Sequence, residues 1–128
     1  MDEYIGLDQD APQGFGNFLK EHIFGLGPFK SVNYIDITTD NPEAEAERYG
    51  KLLKENPTDI VIMGIGENGH IAFNDPPVAD FKDPKWVKPV ALDEVCRQQQ
   101  VNDGCFATLN DVPKQALTLT IPTLFGAT

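Results

Sequence analysis

The stretch DIVIMGIGENGHIAFNDPP, residues 59–77, joins a continuous apolar run to a loop that holds three glycines, a histidine, two carboxylates and two asparagines between positions 64 and 77. An apolar run of strand length with no polar alternation is what a strand buried on both faces of a parallel sheet requires. Upstream, VNYIDIT (32–38) is β-branched and aromatic between turn residues, which predicts a second strand. A helix is expected between the two. Asp40 or Asn41 can cap it, Pro42 suits its first turn, Glu43 and Glu45 lie at the positive end of its dipole, and Tyr49, Leu52 and Leu53 share a face. It should end near Asn56-Pro57. Strand, helix and strand make a βαβ unit, so the expected fold class is α/β: a modified, mostly parallel sheet flanked by helices, in one domain over residues 1–128.

The flanks add further elements. WVKPVAL (86–92) predicts a strand of edge character because of Pro89, and DEVCRQQQV (93–101) predicts a short helix. ALTLTIPTLF (116–125) predicts a last strand running toward a helix start. NFLKEHIFGLG (17–27) can form a short helix ended by Gly25 or Gly27, whereas residues 1–18, rich in Gly, Pro and Asp, read as an irregular loop.

The chain has 128 residues, 41% hydrophobic, with 20 acidic against 10 basic side chains and a formal net charge of −10. Such a balance repels polyanions, so neither nucleic acid nor an anionic membrane is an expected partner. A small phosphorylated ligand stays open, since a few N–H groups or one cation can hold a phosphate. Cys96 and Cys105 have no CxxC spacing, and with two histidines there is no recognisable metal constellation. They read as reduced thiols of a cytoplasmic protein. Residues 1–20 lack a signal-peptide pattern, and no apolar run reaches the length of a membrane span.

Ligands of open parallel sheets bind at the carboxyl ends of strands, where GIGENGH sits. Gly64, Gly66 and Gly69 allow close approach of a ligand to the backbone. His70 can move a proton at physiological pH, and Asp75 can orient it if the loop turns back. The spacing also satisfies GxGxxG, but HIAFNDPP stands where the helix of a dinucleotide site should follow, and Pro76-Pro77 force an extended path. A histidine after a strand is more often structural than catalytic. His22, Phe81, Trp86 and Lys114 have ordinary surface or packing readings, and Ser31 lies in no nucleophile elbow.

GIGENGHIAFNDPP, together with MDEYIGL (1–7) and NDVPKQALTLTIPTL (110–124), resembles the glucosamine-6-phosphate deaminase (isomerase) family, with 6-phosphogluconolactonases as more distant relatives. The resemblance spans nearly the whole chain, in family order. It implies a modified Rossmann-like sheet and a cytoplasmic deaminase/isomerase, classed as a hydrolase. The implied reaction converts glucosamine 6-phosphate and water to fructose 6-phosphate and ammonia, with no cofactor and no metal. Asp2 matches the carboxylate that shuttles a proton between C2 and C1. His70 matches the histidine that opens the sugar ring, Asp75 a glutamate that supports it, and Asn68 an aspartate of the same relay. Asn68 cannot become anionic, and Glu67 and Asp75 are the carboxylates able to supply that charge. Gly66, Gly69 and Glu67 fall in the substrate loop, and for the family's phosphate-binding arginine the chain offers Arg97 or one of the glutamines 98–100. A hexosamine phosphate is the implied small-molecule partner, and a homo-oligomer is within expectation. The family's upstream phosphate loop and downstream lysine are not in this sequence, so a partial domain, inactive alone, is expected. A non-catalytic sugar-phosphate sensor and a 6-phosphogluconolactonase-like hydrolase are the alternatives. MDEY argues against the second.

Overall fold

A computed structural model describes residues 1–127. In chain order it comprises β1 (Glu3–Ile5), α1 (Phe15–Leu19), a π-helical turn (Lys20–Phe24), α2 (Pro42–Glu55), β2 (Val87–Ala91), α3 (Glu94–Asn102), a 3-10 turn (Leu109–Asp111), β3 (Gln115–Leu119) and α4 (Ile121–Phe125). The architecture is α/β, with one three-stranded sheet ordered β1-β3-β2. Both outer strands run antiparallel to β3, with Glu3 opposite Leu117 and Val90 opposite Ala116.

Alternation along the strands splits the core into two clusters, as the pleat requires. Ile5, Val87, Leu117 and Leu119 join Ala46 and Tyr49 of α2 and Leu124 of α4 on one side. Tyr4, Val90 and Ala116 join Phe73, Phe106 and Val112 on the other. β3 is the central strand, and Ala116, Leu117, Thr118 and Thr120 are fully buried.

The helices follow their local signals. Asn41 Oδ1 accepts from Ala44 N at 3.2 Å and caps α2, with Pro42 in its first turn. Asp93 Oδ1 accepts from Cys96 N at 2.7 Å and caps α3. The strand expected over 116–125 stops at Leu119, because Thr120 and Pro122 open α4. Residues 1–18, expected to be irregular, contribute β1. Its Glu3 carboxylate accepts from the backbone N–H groups of Tyr4 (2.9 Å), Phe15 (2.9 Å) and Gly16 (2.7 Å), tying the strand to the start of α1. Burial pushes that carboxyl above its ordinary range, while the three N–H groups act against the rise.

The two strands expected over 32–38 and 59–66 do not form, and the sheet is antiparallel where a mostly parallel one was expected. A central strand needs a ladder on each edge, and among the described residues 60–65 makes no backbone hydrogen bond. Ile60 and Ile62 are 78% and 96% exposed. The segment 32–37 is held by side chains instead: Glu45 of α2 accepts from Asp36 N at 2.9 Å and pairs with Arg48, which donates to Tyr34 O at 2.9 Å. Gly6 N donates to Ile37 O at 3.0 Å, and Ile35 and Ile37 are buried.

The loop after the apolar run is fastened to β3. Thr118 Oγ1 accepts from Phe73 N at 3.1 Å and from Asn74 Nδ2 at 3.4 Å, and Asn74 Nδ2 also donates to Leu119 O at 2.9 Å and Ile71 O at 3.0 Å. Replacing a buried acceptor with a methyl group leaves its donors unpaired. Thr118→Val, nearly isosteric, is therefore expected to lower unfolding stability by about 1–3 kcal/mol, read from urea denaturation; an unchanged midpoint would show that this fastening contributes nothing.

Candidate active site

Residues 66–75 fold back on themselves. Gly66 N donates to His70 O and Gly69 N to Gly66 O, both at 2.9 Å. Gly69 has φ +83°, a conformation that a side chain resists. At Gly66 the constraint is space, since an added Cβ would fall within the imidazole of His70. The ring thus lies directly on the Gly66 backbone. Ala72, with φ +51°, is strained for a residue bearing a Cβ. Strain of this kind persists where surroundings over-determine it, and the next two residues are those bonded to Thr118.

The imidazole Nδ1 meets two acceptors. One is Asn68 Oδ1, which also accepts from the His70 backbone N at 3.2 Å. The other is Asp75 Oδ1 at 3.4 Å. Among the described residues both hydrogen-bonding partners of the ring are acceptors at Nδ1, an arrangement that favours the tautomer with its proton on Nδ1 and its lone pair on Nε2. The His70 and Asp75 side chains are 21% and 18% exposed. Asp75 is fixed in turn, its carbonyl accepting from Val78 N and Ala79 N at 2.9 Å each.

Asp2 precedes β1. Carrying the antiparallel register one residue beyond Glu3–Leu117 sets Asp2 opposite Thr118, the residue that holds the histidine loop. Burial pushes the Asp2 carboxyl above its ordinary value of 3.8, with its own backbone N–H, the terminal amine and His70 acting against the rise. His70 therefore lies within electrostatic reach of Asp2. A desolvated carboxylate with no side-chain hydrogen-bond donor among the described residues is a competent proton acceptor.

The other expected residues are placed differently. Glu67 is exposed and makes no hydrogen bond or ion pair among the described residues. Arg97 donates from Nη2 to Leu109 O at 2.7 Å and Val112 O at 3.1 Å, and from Nε to Val112 O at 3.2 Å, so its guanidinium clamps α3 to the turn before β3. Thr118 and Cys96 were not expected at the site. Cys96 Sγ donates to Asp75 Oδ2 at 3.8 Å, a contact 21 residues apart that no local pattern announces. A cavity of about 510 Å³, lined mainly by Tyr4, Phe15, Phe18, Gln100 and Phe106, lies elsewhere; none of Asp2, Asn68, His70 and Asp75 lines it. Among the described residues no group of three His, Cys, Asp or Glu is placed to hold a metal, and no helix is long and apolar enough to cross a membrane.

Comparison with known proteins gives a consistent set of relatives. The glucosamine-6-phosphate deaminases of Streptococcus pneumoniae serotype 4 and of S. pneumoniae strain Hungary19A-6 are each 39% identical over 127 residues, 99% of this chain. The chain spans about half the length of the curated relatives it matches, 52% in both cases. Among solved structures, a monomeric glucosamine-6-phosphate deaminase described as a missing link of the NagB superfamily superposes with a TM-score of 0.82 at 32% identity, over 99% of this chain and 52% of that one. No family model matches. These relatives are named deaminases, and the hydrolase class drawn from the sequence resemblance has no support in their names.

Because the imidazole occupies the space a side chain at 66 would need, Gly66→Ala is expected to drive the ring off Asn68 and Asp75 while leaving the sheet in place. Ring ¹⁵N shifts of His70 report this as loss of the Nδ1–H tautomer; an unaltered ring signature would contradict the packing.

Proposed function

We propose that this chain carries the proton-transfer centre of a glucosamine-6-phosphate deaminase, with Asp2 as the base for the aldose-ketose step and His70 as the group that opens the sugar ring. The single observation that supports it most is convergence: β1, which Asp2 immediately precedes, pairs with β3, the same strand whose Thr118 holds the His70 loop, and the charge of His70 reaches the Asp2 carboxyl across 68 positions of sequence. The relatives' names supply the substrate class. In this reading the hexosamine phosphate is bound in its ring form. Nε2 of His70, its tautomer set by Asn68 and Asp75, exchanges a proton with the ring oxygen. Asp2 takes the proton from C2 and returns it at C1, and water replaces the nitrogen that leaves as ammonia. Two proton transfers need two groups in different environments, a desolvated acid and a half-buried imidazole. The reading needs no cofactor, and it places Gly66 and Gly69 at the backbone surface that the sugar approaches.

The finer architecture belongs to the same proposal. Residues 1–127 belong to one α/β domain of the parent protein, and 32–38 and 59–66, which make no strand in this structure, are proposed to pair as parallel strands of a modified Rossmann-like sheet there. The continuous apolar run and the bare side chains of Ile60, Ile62 and Ile65 favour this, since a neighbouring strand and a helix layer would cover them. In this arrangement Arg97 either turns from its carbonyl partners to a phosphate or remains a clamp.

The deciding experiment is ammonia release from glucosamine 6-phosphate by the full-length parent protein on which these residues sit. Asp2→Asn is expected to reduce kcat by about 10²–10⁴-fold while substrate binding stays within a few-fold. The base works only when ionised, and burial raises its folded-state pKa, so kcat/KM should rise with pH through a limb lying above the ordinary aspartate value of 3.8. Binding without ammonia release in the native protein would refute the catalytic reading.

A further inference from the structure

The relay just proposed leaves one oxygen of Asp75 to be accounted for. Oδ1 faces His70 Nδ1 at 3.4 Å, and Oδ2 receives the thiol of Cys96 at 3.8 Å, within reach for a sulfur donor. The carboxylate thus bridges an imidazole and a thiol from two separate segments. Cys96 is itself held firmly. Its backbone N–H is bound by the Asp93 cap at 2.7 Å, and the neighbouring Arg97 fixes α3 to the carbonyls of Leu109 and Val112, just before β3. From β3 the frame therefore reaches Asp75 by two routes, through Phe73 and Asn74 on one side and through Arg97 and Cys96 on the other.

We propose that Cys96 is a positioning residue of the relay, its S–H holding Asp75 Oδ2 so that Oδ1 stays turned toward His70 Nδ1. A carboxylate free to rotate about its last bond would present either oxygen to the ring, or neither. A donor on the far oxygen removes that freedom. The role requires the thiol to remain protonated at neutral pH, and its surroundings ensure this. Burial pushes it up to about 11, with the Asp75 and Asp93 carboxylates adding to the rise. The charged groups facing this cluster are Asp75 and Asp93 at the thiol, and Asp2 with Asp75 at the imidazole. The inference rests on the reading of His70 and Asp75 as a relay.

The test uses the full chain with Cys105→Ser as background, so that Cys96 is the sole thiol. Two measurements are made: the ring ¹⁵N shifts of His70, and the pH dependence of Cys96 alkylation by iodoacetamide. The background chain is expected to show one Nδ1–H tautomer. Cys96→Ala should yield a tautomer mixture, and Cys96→Ser, which keeps a donor, should restore the single form. Asp75→Asn should accelerate alkylation at pH 9 by about threefold or more, as a fall of about half a pKa unit in the thiol implies. A Cys96→Ala chain that keeps a single tautomer while Asp75→Asn disturbs it overturns the role of Cys96 and leaves the relay standing. An Asp75→Asn chain with an undisturbed ring refutes the relay itself. If Cys96→Ala fails to fold, the alkylation profile decides, because a thiol that does not respond to Asp75→Asn makes no contact with that carboxylate.

Discussion

The hydroxyl of Thr118 is the point through which the candidate site is assembled. It sits in the middle strand of a three-stranded sheet with no exposed surface, and it receives donors from Phe73 and Asn74 of the histidine loop. On its other edge β3 carries β1, whose register brings Asp2 alongside. Neither segment has much structure of its own, since β1 is three residues long and the loop has no regular element before β2. Both borrow their position from β3. The strain at Ala72 is sustained for the same reason, because the chain must return to Thr118 immediately afterwards. Asn74 shows the cost of this arrangement: its amide nitrogen serves three acceptors, while its buried Oδ1 has no partner among the described residues.

Residue type alone does not decide which charged groups are available for chemistry; what occupies their lone pairs and protons does. Glu3 and Asp2 are adjacent carboxylates, and burial raises both. Glu3 is consumed by three backbone N–H groups at the start of α1 and acts as a cap. Asp2 has no such set of donors. In the same way the guanidinium of Arg97 is taken up by two carbonyls, whereas among the described residues the imidazole of His70 is held at Nδ1 alone. A side chain held on one side and free on the other is the arrangement proton transfer needs.

What the sequence revealed was local. The α2 helix and its Asn41 cap, the Asp93 cap of α3, and the edge strand containing Pro89 depend on residues within a few positions of one another, and each formed where its pattern lies. The cluster of Asn68, His70 and Asp75 is equally local, and the structure brings the three together. The parts that were not legible are non-local. β1 exists only because β3, more than a hundred residues later, offers it an edge, and its own Gly- and Pro-rich surroundings read as loop. The run 59–66 has the apolar character of a central strand, yet periodicity states what a segment needs to bury and not which partner will bury it. Thr118 and Cys96 escaped for the same reason, being tied to the loop across 45 and 21 positions.

The asparagine at 68, which departs from the aspartate of the resembled family, has a physical consequence at this ring. Nδ1 of His70 faces two acceptors, and an aspartate at 68 would make both anionic. Asp2 already adds a third nearby carboxylate in a chain whose net charge is −10. A neutral amide oxygen supports the same tautomer alongside Asp75 while contributing no further negative charge. The direction of Nε2 is then set by geometry, through Asn68, Asp75 and the backbone of Gly66.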